Sequence, residues 1–501
     1  MSTRAKLANK VIWTLVFIGA LFLAAGLSTL PDHQSLFIVL GVMGVCAALV
    51  ITLRPWKLLL TMALVTPFQV YLHLGPYPVA IGYMLIGLLA ISWSLYVLMG
   101  SKTIYFPRLL IPATCFVMAL LMSLKNAADV YNFVLAFSQN VAYVIFYFIS
   151  VNVIKTPLQL KKLVRVLVIG ALGSALLGFA QFGMNWALGS DAVLKLFYVK
   201  LGHWVFGSRS LERIGNPFGT TMGYFFRGDL EGFGNAFRPF GMFGGANPYA
   251  FYHATMFVLM LGFVLHLRRA RSLCSLLGLE VLLLAALLPL SRTAWLMLFV
   301  GVVFFLSGLD LGRYISSSRL RLVFRYLFLG IVCLGLAFLL ALVFPSSPLS
   351  KAFLDTVFRT DASTISRTNS MLTAIDLFLE RPLIGGGFGN YPVLVDPARL
   401  GTASRLTAES TYLQLMTETG LLGLTCYLWL QAYSWFEAWR LFRSARQAEL
   451  RGFAYGFLGV WLAVFVGRFF AANLTNPRGM LIWWLLVAMV SAARHVSTME
   501  E

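Results

Sequence analysis

Charged residues are scarce in this sequence, and acidic residues are the scarcer kind. Asp, Glu, Lys and Arg make up 12% of the 501 residues, with 19 acidic against 39 basic side chains, whereas a soluble domain carries about 25% charged residues. Long apolar stretches dominate instead, and 59% of the chain is hydrophobic. This composition excludes a soluble protein and predicts an all-α polytopic membrane protein.

Cysteine and histidine are also rare, and the patterns of common soluble enzymes are missing. The five cysteines lie inside or beside apolar stretches, in no spacing typical of a metal site or a disulfide framework. No P-loop, G-x-S-x-G, H-E-x-x-H or Asp-x-Asp motif is present. The sequence therefore predicts no cofactor and no metal, which leaves electrostatic stabilisation and a general base as the means of catalysis.

The apolar stretches predict about fourteen transmembrane helices, because each is close to the length of about 20 residues that spans a hydrocarbon core. The predicted spans are residues 11–30, 35–53, 58–74, 78–99, 107–124, 131–153, 163–185, 249–267, 272–290, 294–309, 325–345, 421–439, 453–471 and 479–494. Lys and Arg concentrate in alternate connections, such as Lys155–Arg165 and Arg440–Arg451. The positive-inside rule then places both termini in the cytoplasm and two long loops outside.

These loops divide the chain into five predicted segments. They are transmembrane helices over 1–183, a first periplasmic loop over 184–248, central transmembrane helices over 249–345, a second and catalytic periplasmic loop over 346–420, and C-terminal transmembrane helices over 421–501. The first loop contains an amphipathic pattern, Asp191–Phe206, typical of a helix on the membrane surface. In the second loop, Ser370–Glu380 has helical spacing, Gly385–Asn390 predicts a turn, and Thr407–Met416 predicts the start of a helix.

Both outer loops are rich in basic residues, which predicts an outward-facing basic surface for an anionic group at the level of the lipid headgroups. Nucleic acid is not an expected partner, because the aromatic residues are scattered through the spans and do not stand beside basic runs. Arg238, Arg292 and Arg367 lie at outer ends of spans or in outer turns, as do Arg468 and Arg478. A guanidinium binds phosphate oxygens bidentately and keeps its charge, although such arginines also reach to the interface or pair with carboxylates.

Glu409 is the candidate general base. We expect it in the first turn of the helix that leads into the span at 421–439, where a carboxylate would also simply complement the helix dipole. Glu418 follows nine positions later, on the opposite face of that helix, so the two carboxylates are not expected to form an acid/base pair.

Several motifs in the C-terminal half, between about Arg238 and Leu430, resemble one family of membrane enzymes. They are Arg238–Phe243 (RPFGMF), Asn247–Ala250 (NPYA), Ser291–Trp295 (SRTAW), Arg367–Gly389 (RTNSMLTAIDLFLERPLIGGGFG), Tyr412–Leu415 (YLQL) and Glu418–Gly423 (ETGLLG). In this order, with a large outer loop before the last spans, they are similar to the O-antigen ligase and Wzy-type polymerase superfamily.

The resemblance implies a GT-C-like membrane glycosyltransferase of the bacterial inner membrane that needs neither metal nor nucleotide sugar. Such an enzyme transfers a glycan from undecaprenyl pyrophosphate to an acceptor glycan or glycolipid on the periplasmic face. It works among membrane lipids and other proteins of a polysaccharide export pathway. The family's pyrophosphate-binding arginines correspond to Arg238 and Arg367, with Arg292 as a further candidate. Transfer of the glycan is expected to invert the configuration at its anomeric carbon.

One departure from the family pattern bears on the acceptor. Ligases typically carry a His-Asn pair before the Tyr-Leu helix, with the histidine as the base, and this chain has Glu409-Ser410 there. We therefore favour polymerisation of exopolysaccharide, capsule or O-antigen repeat units. The alternatives are an O-antigen ligase acting on lipid A-core, an O-linked protein glycosylation ligase and, from a different class, a transporter of lipid-linked oligosaccharides, for which Glu280 is the one ionisable residue expected near the midplane.

Overall fold

The computed structural model describes residues 54–68, 71–74, 77–98, 104–189, 193, 196–197, 226–227, 236–243, 245–266, 272–308, 362–395, 408–472 and 477–499. The predicted spans at 11–30, 35–53 and 325–345 lie outside the described residues. Most of the predicted surface helix at 191–206 lies outside them too, although Val193 and Phe197 are buried against Phe237 and Phe240.

The N-terminal part of the described chain consists of helices and one hairpin. Its elements are α1 (Pro55–Val65), β1 (Tyr71–Leu74), β2 (Tyr77–Ala80), α2 (Ile81–Leu98), α3 (Leu110–Met122), α4 (Val130–Val153) and α5 (Pro157–Leu188), with 3-10 turns at Thr66–Phe68 and Ser123–Asn126. The antiparallel strands pair Tyr71 with Ala80 and Leu74 with Tyr77. Helix α5 begins with a capping box between Thr156 and Gln159, which satisfies its first amide groups.

The C-terminal part carries the family motifs. Its elements are the two-residue strands β3 (Phe226–Arg227) and β4 (Ala236–Phe237), then α6 (Ala246–His266), α7 (Leu273–Leu287), α8 (Arg292–Gly308), α9 (Ala362–Glu380), α10 (Tyr391–Leu394), α11 (Thr411–Ser444), α12 (Ala448–Gly467) and α13 (Pro477–Met499). Strands β3 and β4 are antiparallel and pair Phe226 with Phe237 and Arg227 with Ala236.

Six of the described helices are long and apolar enough to cross a membrane. They are α2, α4, α5, α6, α12 and the Arg478–Thr498 part of α13. The apolar helices α3, α7 and α8 are shorter. The structure is thus that of a largely helical, multi-pass membrane protein, while the total of fourteen spans stays a prediction.

The predicted span at 58–74 is wrong beyond Val65. Helix α1 has 11 residues, or about 16 Å of helix at 1.5 Å per residue, which is half of a hydrocarbon core. Pro67 ends it because proline lacks the amide hydrogen that would continue the helical bonds. The following residues are apolar but rich in Tyr, Val and Leu on both sides of Gly75-Pro76, and they form the β1–β2 hairpin instead.

The core of the bundle lies around α6, α12 and α13. Most of α13 is buried inside the protein, since 83% of its apolar stretch is packed against other parts of the protein. Helices α6 and α12 cross where two glycines meet, because a Cβ on Gly262 would lie 2.4 Å from the Cα of Gly456. Small residues at such a crossing let two helix backbones approach closely, which is the usual means of helix packing within a membrane. We call the end where α6, α8, α11 and α13 begin and α12 ends the loop face.

Candidate functional site

A break in helix α11 organises the part of the second loop that the structure describes. Gly420 has φ 65° and ψ −164° within the 34-residue helix, so the amides of Leu421 and Leu422 lose their helical partners, the carbonyls of Thr417 and Glu418. The turn that follows α9 supplies replacements for all four groups. Leu421 and Leu422 donate to the carbonyls of residues 382 and 383, while the amides of residues 386 and 387 donate to Thr417 and Glu418, at 2.8 to 3.2 Å. We call this arrangement the glycine clasp.

Two glycines permit the clasp. A Cβ on Gly385 would lie 2.4 Å from the carbonyl carbon of Glu418, and a Cβ on Gly420 would lie 2.3 Å from that of Leu383. Both contacts are with backbone, so no side-chain rotation could relieve them. Both residues also have positive φ, which glycine adopts without the steric penalty of a side chain. The GGGFG and ETG segments of the sequence are therefore two halves of one backbone contact.

Glu418 is buried beneath the clasp, with 1% of its surface exposed. Its Oε1 accepts hydrogen bonds from the Tyr391 amide at 3.2 Å and from Gln414 Nε2 at 3.1 Å. Its Oε2 has no hydrogen-bond partner among the described residues. Burial raises the pKa of the Glu418 carboxyl to about 7. Glu418 thus fastens α10 to α11 and, as expected, does not pair with Glu409.

Glu409 and Arg367 are brought together at the loop face. Arg367 Nε lies 3.5 Å from Glu409 Oε2, and both side chains keep partial access to solvent, at 28% and 14% exposure. Helix α9, which carries Arg367, is held against α11 by a hydrogen bond from Thr417 Oγ1 to the Ala374 carbonyl, and against α10 by one from Tyr391 Oη to the Ser370 carbonyl. The clasp and Glu418 therefore support the element that positions this ion pair.

The backbone at Glu409 differs from the sequence prediction. The helix begins at Thr411 with Ser410 as its N-cap, so Glu409 precedes the first turn. Glu409 also has φ 53°, and Leu290 with φ 52° is its one counterpart among the non-glycine residues that the structure describes. Such conformations cost about 1–3 kcal/mol each and tend to occur at functional sites. Leu290 directly precedes the SRTAW motif, which contains Arg292. One strained residue is therefore the candidate base itself, and the other lies two positions before a candidate arginine.

Arg238 lies at the turn between α7 and α8. Its Nε donates to the Pro289 carbonyl and its Nη2 to Asn247 Oδ1, both at 2.6 Å. The RPFG segment behind it is held by Gln181 of α5, which is fully buried. Gln181 Oε1 accepts from the amides of Phe240 and Gly241, and its Nε2 donates to the Gly241 carbonyl. Arg238 is therefore positioned by its bonds to Pro289 and Asn247 and by the RPFG segment that Gln181 holds.

The turn after α12 links the two groups of candidate residues. The Phe470 carbonyl accepts from Thr293 Oγ1, next to Arg292 at the start of α8. The Arg468 and Ala471 carbonyls accept from the amide and hydroxyl of Thr411, two residues after Glu409. Thr293 and Thr411, which neighbour Arg292 and Glu409 in the chain, thus contact the same turn.

Arg468 is an outer arginine that is not among the three predicted to bind pyrophosphate. It is 3% exposed, and its guanidinium donates to Tyr427 Oη. Its carbon Cζ lies 4.6 Å from the ring centre of Trp483, within the range of a cation–π contact. Its burial between two helices was not readable from the sequence, because no local pattern identifies Tyr427 and Trp483 as its neighbours.

Within the described residues, no group of three or more His, Cys, Asp or Glu side chains is placed to hold a metal ion. The family model described as O-antigen ligase matches residues 277–428. The predicted family resemblance is confirmed. The matched region runs from α7 into α11 and includes Arg292, Arg367, Glu409 and the glycine clasp, while Arg238 precedes it. No curated protein matches the chain.

Proposed function

We propose that this membrane protein of the O-antigen ligase family is a glycosyltransferase acting on the periplasmic face of the bacterial inner membrane. It transfers a glycan from undecaprenyl pyrophosphate to an acceptor sugar and polymerises polysaccharide repeat units. The observation that carries the proposal is the partly accessible Arg367–Glu409 pair within the family-matched region. It places a carboxylate that can accept a proton beside a cation that can hold a phosphate.

In the proposed reaction the acceptor hydroxyl attacks the anomeric carbon from the side opposite the leaving group. The bond between that carbon and the pyrophosphate oxygen breaks, and the carrier lipid leaves with the electron pair. Glu409 takes the proton of the attacking hydroxyl, and the anomeric configuration inverts. No metal is needed if arginines neutralise the charge that develops on the pyrophosphate.

Arg367 can serve both partners, because a guanidinium has five N–H donors in a planar fork. One edge faces Glu409 in the structure, and binding of a pyrophosphate would draw the guanidinium away from the carboxylate as the base is needed. Arg238 and Arg292 are proposed to contribute to the same anion site, because both lie at the turn between α7 and α8. Thr293, next to Arg292, and Thr411, near Glu409, both bond to the turn after α12, which supports the placement of Arg292.

The test is chain growth in cells that make the polymer. Loss of one charged hydrogen bond to a phosphate costs about 2–4 kcal/mol, or about 30- to 1000-fold in rate. Arg367→Ala and Glu409→Gln should each abolish chain growth at unchanged protein levels. Glu380→Gln, at the end of α9, and Arg443→Ala, at the other end of α11, are matched controls that should leave polymer length unchanged. Full-length polymer from the Arg367→Ala, Glu409→Gln double variant would end the assignment.

One alternative is an O-antigen ligase acting on lipid A-core, which the description of the matched family favours. Another is an O-linked protein glycosylation ligase. Glycans from a deletion strain separate the candidates. Surface glycan reduced to a single repeat indicates a polymerase, and accumulation of lipid-linked polymer indicates a ligase. Accumulation of single repeats on the cytoplasmic side indicates a transporter of lipid-linked oligosaccharides.

A further inference from the structure

Helix α9 presents three different faces. Two small residues on the first face, Ser370 and Ala374, are fully buried against the rest of the protein. A second face is exposed and polar, and it comprises Asn369, Asp376 and Glu380. A third face is exposed and apolar, and it comprises Leu372, Ile375 and Leu379, at 56%, 39% and 65% exposure. Their spacing of three and then four residues places these apolar side chains in one stripe along the helix.

The exposed apolar surface continues beyond the end of α9. Leu383, in the turn that follows the helix, is 70% exposed, and Leu421 of α11 is exposed as well. The two residues are neighbours in the glycine clasp, because the amide of Leu422 donates to the carbonyl of Leu383. The apolar surface therefore leads from α9 to the exposed side of α11.

The exposed side of α11 beyond the break at Gly420 shows where the membrane lies. Its large side chains are all apolar, and they are Leu421, Leu428, Trp429, Phe436 and Trp439. The helix rises about 27 Å from Leu421 to Trp439, close to a hydrocarbon core of about 30 Å. Arg443 Cζ lies 5.9 Å from the ring centre of Trp439, and tryptophan and arginine are typical of a membrane boundary. This places Leu421 at the other boundary, on the loop face.

The first part of α11 runs along that boundary. At one end, the amide of Thr411 donates to the carbonyl of Arg468, at the loop-face end of α12. At the other end, Gly420 leads into the part of α11 just described. A segment that joins the loop-face ends of two spanning helices has to lie close to the membrane surface. Helix α9 lies against this segment, since Thr417 Oγ1 donates to the Ala374 carbonyl, so α9 lies close to the membrane surface too.

We propose that α9 is a membrane-surface helix, with Leu372, Ile375 and Leu379 inserted among the lipid acyl chains of the leaflet at the loop face. Helices of this kind bury their apolar side about 5–10 Å into the boundary between headgroups and acyl chains, and their polar side faces water. Asp376 and Glu380 are then the water-facing residues. A protein partner is the alternative occupant of an exposed apolar surface, and continuity with the exposed side of α11 favours lipid. The inference is independent of the proposed function, because it concerns only where the helix lies.

The experiment measures the surroundings of single labels on α9 in the full-length protein, reconstituted in phospholipid vesicles. The five native cysteines are replaced by alanine, and one new cysteine at a time carries an environment-sensitive fluorophore. Leu372→Cys and Leu379→Cys report on the apolar face, while Asp376→Cys and Glu380→Cys are matched controls on the polar face of the same helix. Each label is exposed to a nitroxide quencher near the glycerol end of the acyl chain and, separately, to iodide in the water.

The nitroxide lipid should quench the labels at Leu372 and Leu379 several-fold more than those at Asp376 and Glu380, and iodide should show the reverse order. Equal quenching of all four labels by iodide overturns the proposal. Protection of the labels at Leu372 and Leu379 from both quenchers overturns it as well, since a protein surface would then cover the face.

A second measurement needs no replacement of the native cysteines, in case their loss prevents folding. A water-soluble maleimide is added to vesicles that contain Leu379→Cys or Glu380→Cys, and peptide mass spectrometry reads the reaction of each cysteine separately. Glu380→Cys should react many-fold faster than Leu379→Cys, because the thiol at 379 lies among acyl chains. Equal reaction rates at the two positions overturn the proposal.

Discussion

Replacing Gly420 by alanine should break the glycine clasp. The new Cβ would lie 2.3 Å from the carbonyl carbon of Leu383, and the backbone conformation at φ 65° and ψ −164° is one that only glycine adopts readily, at a cost of about 1–3 kcal/mol for another residue. The contact is between backbone atoms, so the turn after α9 has to move. This movement would break the four backbone hydrogen bonds of the clasp, each of which contributes about 1 kcal/mol of net stability.

If all four bonds are lost, the sum predicts that Gly420→Ala weakens the attachment of the second loop by about 5–7 kcal/mol. Because the clasp supports α9, Arg367 should lose its position beside Glu409 and chain growth should fall sharply. The assay pairs polymer length in cells with thermal unfolding of the purified protein in detergent. Gly183→Ala is the matched control, since a Cβ there meets nothing within 4 Å in helix α5. A Gly420→Ala protein with unchanged unfolding and normal polymer length would refute the reasoning.

Two further predictions concern the residues that support the site. Burial raises the pKa of Glu418 in the folded protein to about 7, whereas its ordinary pKa is 4.5. Between these two values the folded protein holds a proton that the unfolded chain has released. The contribution of Glu418 to stability should therefore be greatest below about pH 4.5 and should decline as the pH rises through 7. Glu418→Gln should remove this part of the decline between pH 5 and pH 8 in thermal unfolding, and an identical slope in both proteins would count against it. Gln181→Ala should lower the free energy of unfolding by about 2–4 kcal/mol, because it leaves two buried amides without an acceptor. It should also displace Arg238 and shorten the polymer. Normal polymer length together with unchanged unfolding would show that the RPFG turn does not depend on Gln181.

The sequence predicted the elements whose signal is continuous and local. Helices α4, α5, α6, α12 and α13 lie where apolar runs of sufficient length indicated them. The wrong prediction of a span at 58–74 also has a local cause. An apolar run that contains Pro67 and Gly75-Pro76 is compatible both with a transmembrane span and with a short helix followed by a hairpin. Apolarity predicts burial in lipid or protein, and it does not distinguish between the two.

The arrangement of the site was less predictable, because it depends on contacts between residues distant in the chain. Nothing near Gly420 in the sequence indicates that the turn at 382–387 replaces its broken helical bonds. The Arg367–Glu409 pair likewise joins residues 42 positions apart, and helix capping by Ser410 places Glu409 before the helix instead of within it. The residue types were recognisable, whereas their partners required the fold.

The geometry also separates the structural from the chemical content of the family motifs. Gly385 and Gly420 permit a backbone contact, and Glu418 bonds to the Tyr391 amide beneath it. These three residues therefore have structural roles in the GGGFG and ETG segments. We expect the chemistry to depend on the charged groups at the loop face, Arg367 and Glu409 foremost. A strained backbone at Glu409 persists only where the surroundings hold it, and here the residue two positions on, Thr411, is held by its bonds to the turn after α12.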